Sequence, residues 1–478
     1  MPMKSLVLTL LFLIPLFSSA QKKPSNVLLI IADDLTTTAL GSYGNEMVKT
    51  PVLDQLAQES FLFERAYSQY PVCGPSRASL MFGYYPTATQ TYGYVSGREN
   101  VGDEKESLAQ FFKNRGYYSA RVSKIFHMGV PIDIETGSDG KDDPASWTEK
   151  FNSQGPEWKS EGFAELVQNN PDGSIERKGG NVMTIVHSEG GDLVQSDGKT
   201  AQKAVELIRE HKNEPFFLAV GLVRPHVPFV APKEYFSPYP WQQIVPPPVV
   251  EGDWEDTPEK GINYVTTQNS EMSYSQKQKA IAAYYASVSF MDAQVGKILA
   301  TLKEEGLDDN TIVIFTSDHG FHLGEHDFWM KVSLKEESVK VPLMLRVPGM
   351  TAGQSDALVE LIDLYPTLLD LTGFEIPPGL QGKSLAYILK GKEESVRGFA
   401  FSVTQGGNTY LIRSERWAYV QYGENGEEGK ELFDMHQDPG QFTNLASLEA
   451  FRPIVLEMQK ILAQKITEVR KNDLAITY

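Results

Sequence analysis

Cysteine is the scarcest residue in this chain: Cys73 is the only one among 478. No internal disulfide can form, so the thiol is either a small packed side chain or a group with chemistry of its own. Positive charge is also in short supply. Lys and Arg number 44 against 62 Asp and Glu, for a net charge of −18. That balance argues against a nucleic-acid partner, whose phosphates call for a basic surface. It still admits a small anionic ligand, because a local basic pocket can sit in an acidic surface. Internal repeats, coiled-coil heptads and low-complexity tracts are all missing. So is any comfortable membrane span: the main apolar run, Leu6 to Phe17, is short and broken by Pro15.

That run reads instead as part of an export signal over residues 1–20. Lys4 supplies the positive start, and Ser18-Ser19-Ala20 a small-residue cleavage site. No cysteine follows the cleavage site, so no lipid anchor is expected. The mature chain is expected to begin near Gln21 and to work in the periplasm or outside the cell. Composition is otherwise that of a globular protein, with 41% hydrophobic and 22% charged residues.

Strand-length apolar runs alternate with helical patterns, which predicts an α/β fold. Ser25 to Ala32 is a continuous run suited to a central strand covered on both faces, and Asp33-Asp34 stand at its C-terminal end. Open α/β sheets bind ligands at such ends. An isolated Asp-Asp pair is commonly a turn or a helix cap, but here two carboxylates invite a Ca²⁺ or Mg²⁺ ion. Thr311 to Thr316 repeats the pattern and delivers Asp318-His319. Tyr117 to Ser123 delivers Lys124 and His127, a pair that elsewhere would be solvated surface. Pro215 to Gly221 leads to His226, which Pro225 and Pro228 are expected to hold in a stiff, extended segment. A helix is predicted from Arg77 to Phe82, placing Cys73 just before a helix N-terminus. Residues 130–200 read as long loops with a few short elements, and 232–275 as a lid-like insertion. Ser275 to Glu305 reads as a long helix whose aromatics pack in the core. His187 reads as structural, and His322 and His326 as pocket-wall or surface residues. Two antiparallel strands near Tyr410–Arg413 and Trp417–Tyr422 and a final helix near Leu448–Arg470 predict a small terminal subdomain.

Cys73-Gly74-Pro75-Ser76-Arg77 resembles the Cys-x-Pro-Ser-Arg motif of the type I sulfatases. The steps at Thr50-Pro51, Lys124-Ile125-Phe126-His127, Phe217 to His226, Asp318-His319 and Lys331 follow in that family's order. Lys-x-x-His and Asp-His are closest to the iduronate-2-sulfatase branch. Two departures stand out: Met81-Phe82-Gly83 replaces the usual Leu-Thr-Gly, and Gly320-Phe321-His322 differs from that branch on the substrate side. The resemblance implies an alkaline-phosphatase-like fold: a large, mostly parallel sheet flanked by helices, with a smaller antiparallel sheet at the C-terminal end. The implied division is a catalytic domain over 21–380 and a subdomain over 381–478. It also implies that a formylglycine-generating enzyme oxidises Cys73, and that the hydrated aldehyde attacks a sulfate ester on a saccharide. Asp33, Asp34, Cys73, Asp318 and His319 would hold the metal, Ca²⁺ or Mg²⁺. Arg77 and Lys124 would neutralise the nucleophile, Lys331 and His226 would hold the sulfate with His226 as general acid, and His127 would take the second hydroxyl's proton. The alternatives are a phosphodiesterase or phosphonate monoester hydrolase of the same superfamily, and an inactive glycan-binding relative.

Overall fold

The computed structural model describes residues 25–167, 176–180, 182–262 and 271–478. The export-signal expectation and part of the lid-like insertion lie outside the described residues. No described helix is long and apolar enough to cross a membrane.

Eight strands form the main sheet: β1 (Asn26–Asp33), β2 (Phe61–Tyr67), β3 (Tyr118–Ser123), β4 (Glu149–Phe151), β5 (Phe216–Pro225), β6 (Thr311–Ser317), β7 (Lys340–Arg346) and β8 (Gly353–Glu360). Their spatial order is β8-β2-β7-β6-β1-β5-β3-β4. Only β7 runs against its two neighbours; every other pairing is parallel.

All eight residues of β1 are buried. Val27, Leu29 and Ile31 enter one core layer, and Leu28, Ile30 and Ala32 the other. A strand with both faces covered has no reason to alternate polar and apolar residues, which is why its sequence is continuously apolar. The first layer packs the helices Cys73–Phe82, Leu108–Lys113 and Leu364–Thr372. The second packs Pro51–Glu59, Ser196–Glu210 and the 31-residue helix Tyr274–Glu304.

A four-stranded antiparallel sheet follows in sequence order: Phe399–Thr404, Thr409–Ser414, Trp417–Tyr422 and Gly429–Asp434. Phe401, Ile412, Tyr419 and Leu432 on its inner face share the first core layer with the closing helix, Arg452–Arg470. The two sheets are thus joined by continuous apolar packing.

Two sequence expectations change, and the short elements expected in 130–200 gain their places. The helix after the cysteine begins at Cys73 itself, four residues earlier than predicted. The segment 130–200 contributes the eighth strand of the main sheet, β4, and two strands of a small sheet with Phe229–Pro232. The Pro225–Pro228 segment is a tight bend rather than an extended one, closed by His226 N–H donating to the Val223 carbonyl at 3.0 Å.

Candidate active site

The site forms at the C-terminal ends of β1, β5 and β6. β1 lies between the other two, so Asp33-Asp34 and Asp318-His319 are delivered side by side. At Asp34 the backbone enters the left-handed region (φ 64°), which turns the chain off the strand. The Asp34 N–H then donates to Asp318 Oδ1 at 3.2 Å. Tyr284, on the long helix, donates its hydroxyl to the Asp34 carbonyl at 2.5 Å and accepts from Thr36 N–H at 3.0 Å. The sequence assigns Tyr284 to core packing; periodicity carries no sign of this second role.

Cys73 enters from the first turn of its helix and is 1% exposed. Its Sγ lies 3.3 Å from His319 Nε2, 3.2 Å from Lys331 Nζ and 3.8 Å from Asp34 Oδ1. Burial, with Asp33 beside it, pushes the thiol well above its ordinary range despite the two lysines. Such a thiol stays protonated and is a poor nucleophile in its own right.

Arg77 sits one turn along, fully buried, and braces two carboxylates. Its Nε donates to Asp318 Oδ2 at 2.8 Å and one terminal nitrogen to Asp33 Oδ1 at 3.2 Å. The other terminal nitrogen donates to the carbonyls of Lys124 and Ile125. Lys124 Nζ donates to Asp33 Oδ2 at 2.5 Å, and Lys331 Nζ to Asp34 Oδ1 at 2.6 Å. Burial opposes ionisation of Asp33, yet Lys124 and its other cationic neighbours hold it well below the usual carboxylate range. Three carboxylates face three fixed cations here, the close pairing that buried charges require.

The histidines are oriented through their backbones. His319 Nδ1 donates to the Gly320 carbonyl at 2.9 Å, which turns Nε2 toward Asp34 Oδ1 (3.3 Å) and Asp318 Oδ2 (3.7 Å). His226 Nδ1 likewise donates to the Val227 carbonyl, and its Nε2 lies 3.7 Å from Asp34 Oδ2. Burial brings His226 down to about 4. His127 is half-buried, stacked on Tyr94 at 4.3 Å, and its Nδ1 is buried without a partner. Burial and then Lys124 push it down to about 2, so it is a neutral proton acceptor.

A cation fits this donor set. Asp34 Oδ2 is buried with no hydrogen-bond partner. Asp34 falls in two groups whose ligand atoms lie close together, one with Cys73 and His319 and one with Asp33 and Asp318, and Asp33 joins a third with Cys73 and His226. Lone pairs converge there, which is unfavourable unless a positive ion lies between them.

The structure therefore gathers every residue the sequence singled out for catalysis or metal binding. His187 stacks on Phe236 at 3.6 Å, in keeping with a structural role. His322 bonds Ser333 at 2.7 Å and His326 bonds Asp253 at 2.8 Å; both are buried rather than exposed.

Known proteins share this arrangement of chain. The family model described as Sulfatase matches residues 25–374, and that for the N-sulphoglucosamine sulphohydrolase C-terminal region matches 324–469. A sulfatase of Formosa agariphila is 31% identical over 455 residues, covering 91% of this chain and 86% of the relative. Iduronate 2-sulfatase of Homo sapiens is 35% identical over 397 residues, covering 74% and 70%. Two solved structures share the fold: a phosphonate monoester hydrolase from Silicibacter pomeroyi (TM-score 0.75, 22% identity, 93% and 95% covered) and a 2-O GAG sulfatase (0.71, 23%, 94% and 93%). With the match running through most of the chain and the cysteine, lysine, histidine and aspartate steps converging at the C-terminal ends of the central strands, the protein belongs to the sulfatase family and is a sulfuric ester hydrolase.

Proposed function

We propose that this chain hydrolyses a sulfate monoester carried on a saccharide, with formylglycine made from Cys73 at the point of attack and Ca²⁺ or Mg²⁺ beside it. One observation carries the reading: His319 Nε2 and Asp34 Oδ1 converge on Cys73 Sγ, at 3.3 and 3.8 Å, with Asp33 and Asp318 grouped on the same Asp34. Asp33, Asp34, Asp318 and His319 would hold the ion, with the side chain at 73 as a further ligand. Bound there, the divalent cation supplies excess positive charge and acidifies the attacking hydroxyl. Formylglycine supplies a hydrated aldehyde, for which Sγ stands in here, with a second hydroxyl to help release product.

The chain's own residues do the rest. Lys331 and Lys124 bind the anionic oxygens of the ester and counter the charge that grows on them. Arg77 keeps Asp33 and Asp318 apart and aligned. His127, neutral and with Nδ1 unpartnered, takes a proton at the nucleophile. His226 takes up and gives its exchangeable proton at Nε2, because Nδ1 is committed to Val227. An arriving anionic ester offsets the burial that keeps the ring neutral, so His226 charges and protonates the departing alkoxide.

The human relative named for iduronate 2-sulfate supports a sulfated sugar as substrate. In this reading residues 21–380 form the catalytic domain and 381–478 its subdomain. The leader-like residues 1–20 direct export to the periplasm, and a formylglycine-generating enzyme acts as maturation partner. The test is sulfate release by protein co-expressed with that enzyme, against Cys73→Ala. Turnover of a phosphodiester with no sulfate released from any ester would overturn the reading.

A further inference from the structure

Beyond the nucleophile site lies a rim that the reaction does not use. The loop carrying Tyr94 crosses directly over the first turn of the Cys73 helix. A Cβ at position 74 would lie 2.6 Å from the Gly93 carbonyl and 3.1 Å from Tyr94 Cα, so only glycine lets the loop approach this closely. Tyr94 stacks one ring face on His127, at 4.3 Å and an interplanar angle of 22°. The residue is nevertheless 56% exposed. An aromatic side chain beside the reacting centre, with its second face in water, presents an apolar platform.

A cation stands beside that platform. Lys141 pairs with His127 across an isolated antiparallel bridge, closed by Lys141 N–H donating to the His127 carbonyl at 2.7 Å. Directly opposed residues of an antiparallel pair project to the same side, so Lys141 shares a face with His127. Gly140 makes this approach possible: it has φ 61°, and a Cβ there would lie 2.5 Å from the His127 carbonyl oxygen. The acidic neighbours of Lys141 are all committed elsewhere. Asp139 pairs with Lys150 and Arg121, Asp142 with Arg121, and Asp143 with Arg98. Lys141 itself is exposed, and its ammonium makes no ion pair among the described residues. In a chain of net charge −18, a platform and an unspent cation flanking one catalytic histidine form a recognition surface.

We infer that Tyr94 and Lys141 determine specificity. The sugar stacks its C–H face on Tyr94, and a second anionic group on that saccharide, a carboxylate or another sulfate, meets Lys141. This rests on the sulfated-saccharide reading above. The substrate class is therefore a saccharide carrying negative charge in addition to the ester that is cut.

The test uses the full matured chain and two matched substrate pairs. One is a sulfated uronate disaccharide with its carboxyl-reduced counterpart; the other is a disulfated neutral disaccharide with its monosulfated counterpart. A small alkyl sulfate serves as reference. Wild type is expected to prefer the more anionic member of at least one pair by roughly tenfold or more in kcat/KM, and the pair concerned identifies the anion. Lys141→Ala should erase the preference through KM while leaving the less anionic member unchanged, and Lys141→Arg should restore it. Tyr94→Ala should lower kcat/KM roughly tenfold on the saccharides but not on the alkyl sulfate, and Tyr94→Trp should retain it. Alkyl sulfate turnover with no preference in either pair, or a preference that survives Lys141→Ala, overturns this inference and spares the broader reading. No sulfate release from any ester means that the broader reading has failed, and this one with it.

Discussion

His319 holds its Nε2 3.3 Å from Oδ1 of Asp34 and 3.3 Å from Cys73 Sγ, with Nδ1 tied to the Gly320 carbonyl. With its ring neutral, that Nε2 and the Asp34 carboxylate offer a divalent cation adjacent ligand atoms. Removing divalent ions by chelation is expected to abolish sulfate release and to lower Tm. Readdition at a hundredfold excess over Kd should return about 2.7 kcal/mol of stability. A thermal melt unchanged by chelation, with activity intact, would show that the convergence serves no metal. His319→Ala should blunt the chelator's effect on Tm as well as on rate.

Cys73 is buried and its thiol is pushed well above its ordinary range, so in the proposed reaction formylglycine, rather than the thiol, is the attacking group. Cys73→Ala should cost on the order of a thousandfold or more in kcat. Protein made without a maturation enzyme should match that loss while keeping the wild-type melt. Full activity with an intact thiol, confirmed by peptide mass, would contradict the formylglycine assignment.

Lys331 sits between two residues with left-handed backbone, Met330 (φ 69°) and Val332 (φ 92°). A β-branched residue at such an angle costs on the order of 1–3 kcal/mol, and glycine relieves most of it. Val332→Gly is expected to stabilise the fold by about 1 kcal/mol in denaturant titration. The same change loosens the lysine, so kcat should fall. A variant that is both more stable and faster would mean that this strain plays no part in holding Lys331.

Gly221 lies where β5 passes the Lys124 backbone, and a Cβ there would meet the Lys124 carbonyl oxygen at 1.9 Å. No side-chain rotation relieves a clash with main chain. Gly221→Ala should lose about 3 kcal/mol or more, and whatever folds should bind inorganic sulfate more weakly because Lys124 has shifted. Wild-type stability for this variant would show that the two strands have slack the structure does not display.

Asp292 caps the Pro51–Glu59 helix, accepting from Leu53 N–H at 2.8 Å and Val52 N–H at 3.2 Å. Burial raises its carboxyl from an ordinary 3.8 to about 7. Between those values the native state keeps a proton that the unfolded chain has lost, so stability falls as pH rises. The slope from this one group is at most about 1.4 kcal/mol per pH unit, and it flattens above about pH 7. Asp292→Asn should remove that component from denaturant titrations run across the same window. An unchanged slope in the variant would place the effect elsewhere.

Much of this was legible before any coordinates. The Val27–Ala32 run identified a strand buried on both faces, and the aspartates after β1 and β6 marked the edge where the site forms. His127, His226 and Lys331 were legible only through the family resemblance, since no periodicity distinguishes them. The start of the Cys73 helix was misplaced because Gly74 and Pro75 look like breakers. In a first turn the N–H groups have no intrahelical partner, so Pro75 loses nothing there. The bend at His226, strand β4 and the bridge from Lys141 to His127 are set by distant partners rather than by local pattern. The exposure of Tyr94 belongs to the same class. Its ring is defined by what lies behind it, and nothing in the residues around it says so.

β1 occupies the middle of the finished sheet, and both of its neighbours follow it in the chain. Its partner on one side begins at Phe216; on the other, Asn26 pairs with Thr311, 285 residues later. At about 5–20 residues per second, a ribosome needs roughly 15–60 s to make that second neighbour. For that time an apolar strand with two unpaired edges is without its permanent partners, a ready template for aggregation. The architecture that buries the site so thoroughly thus creates a dependence on a holding chaperone during biogenesis, and expression yield should track that chaperone's supply more closely than it tracks the stability of the folded enzyme.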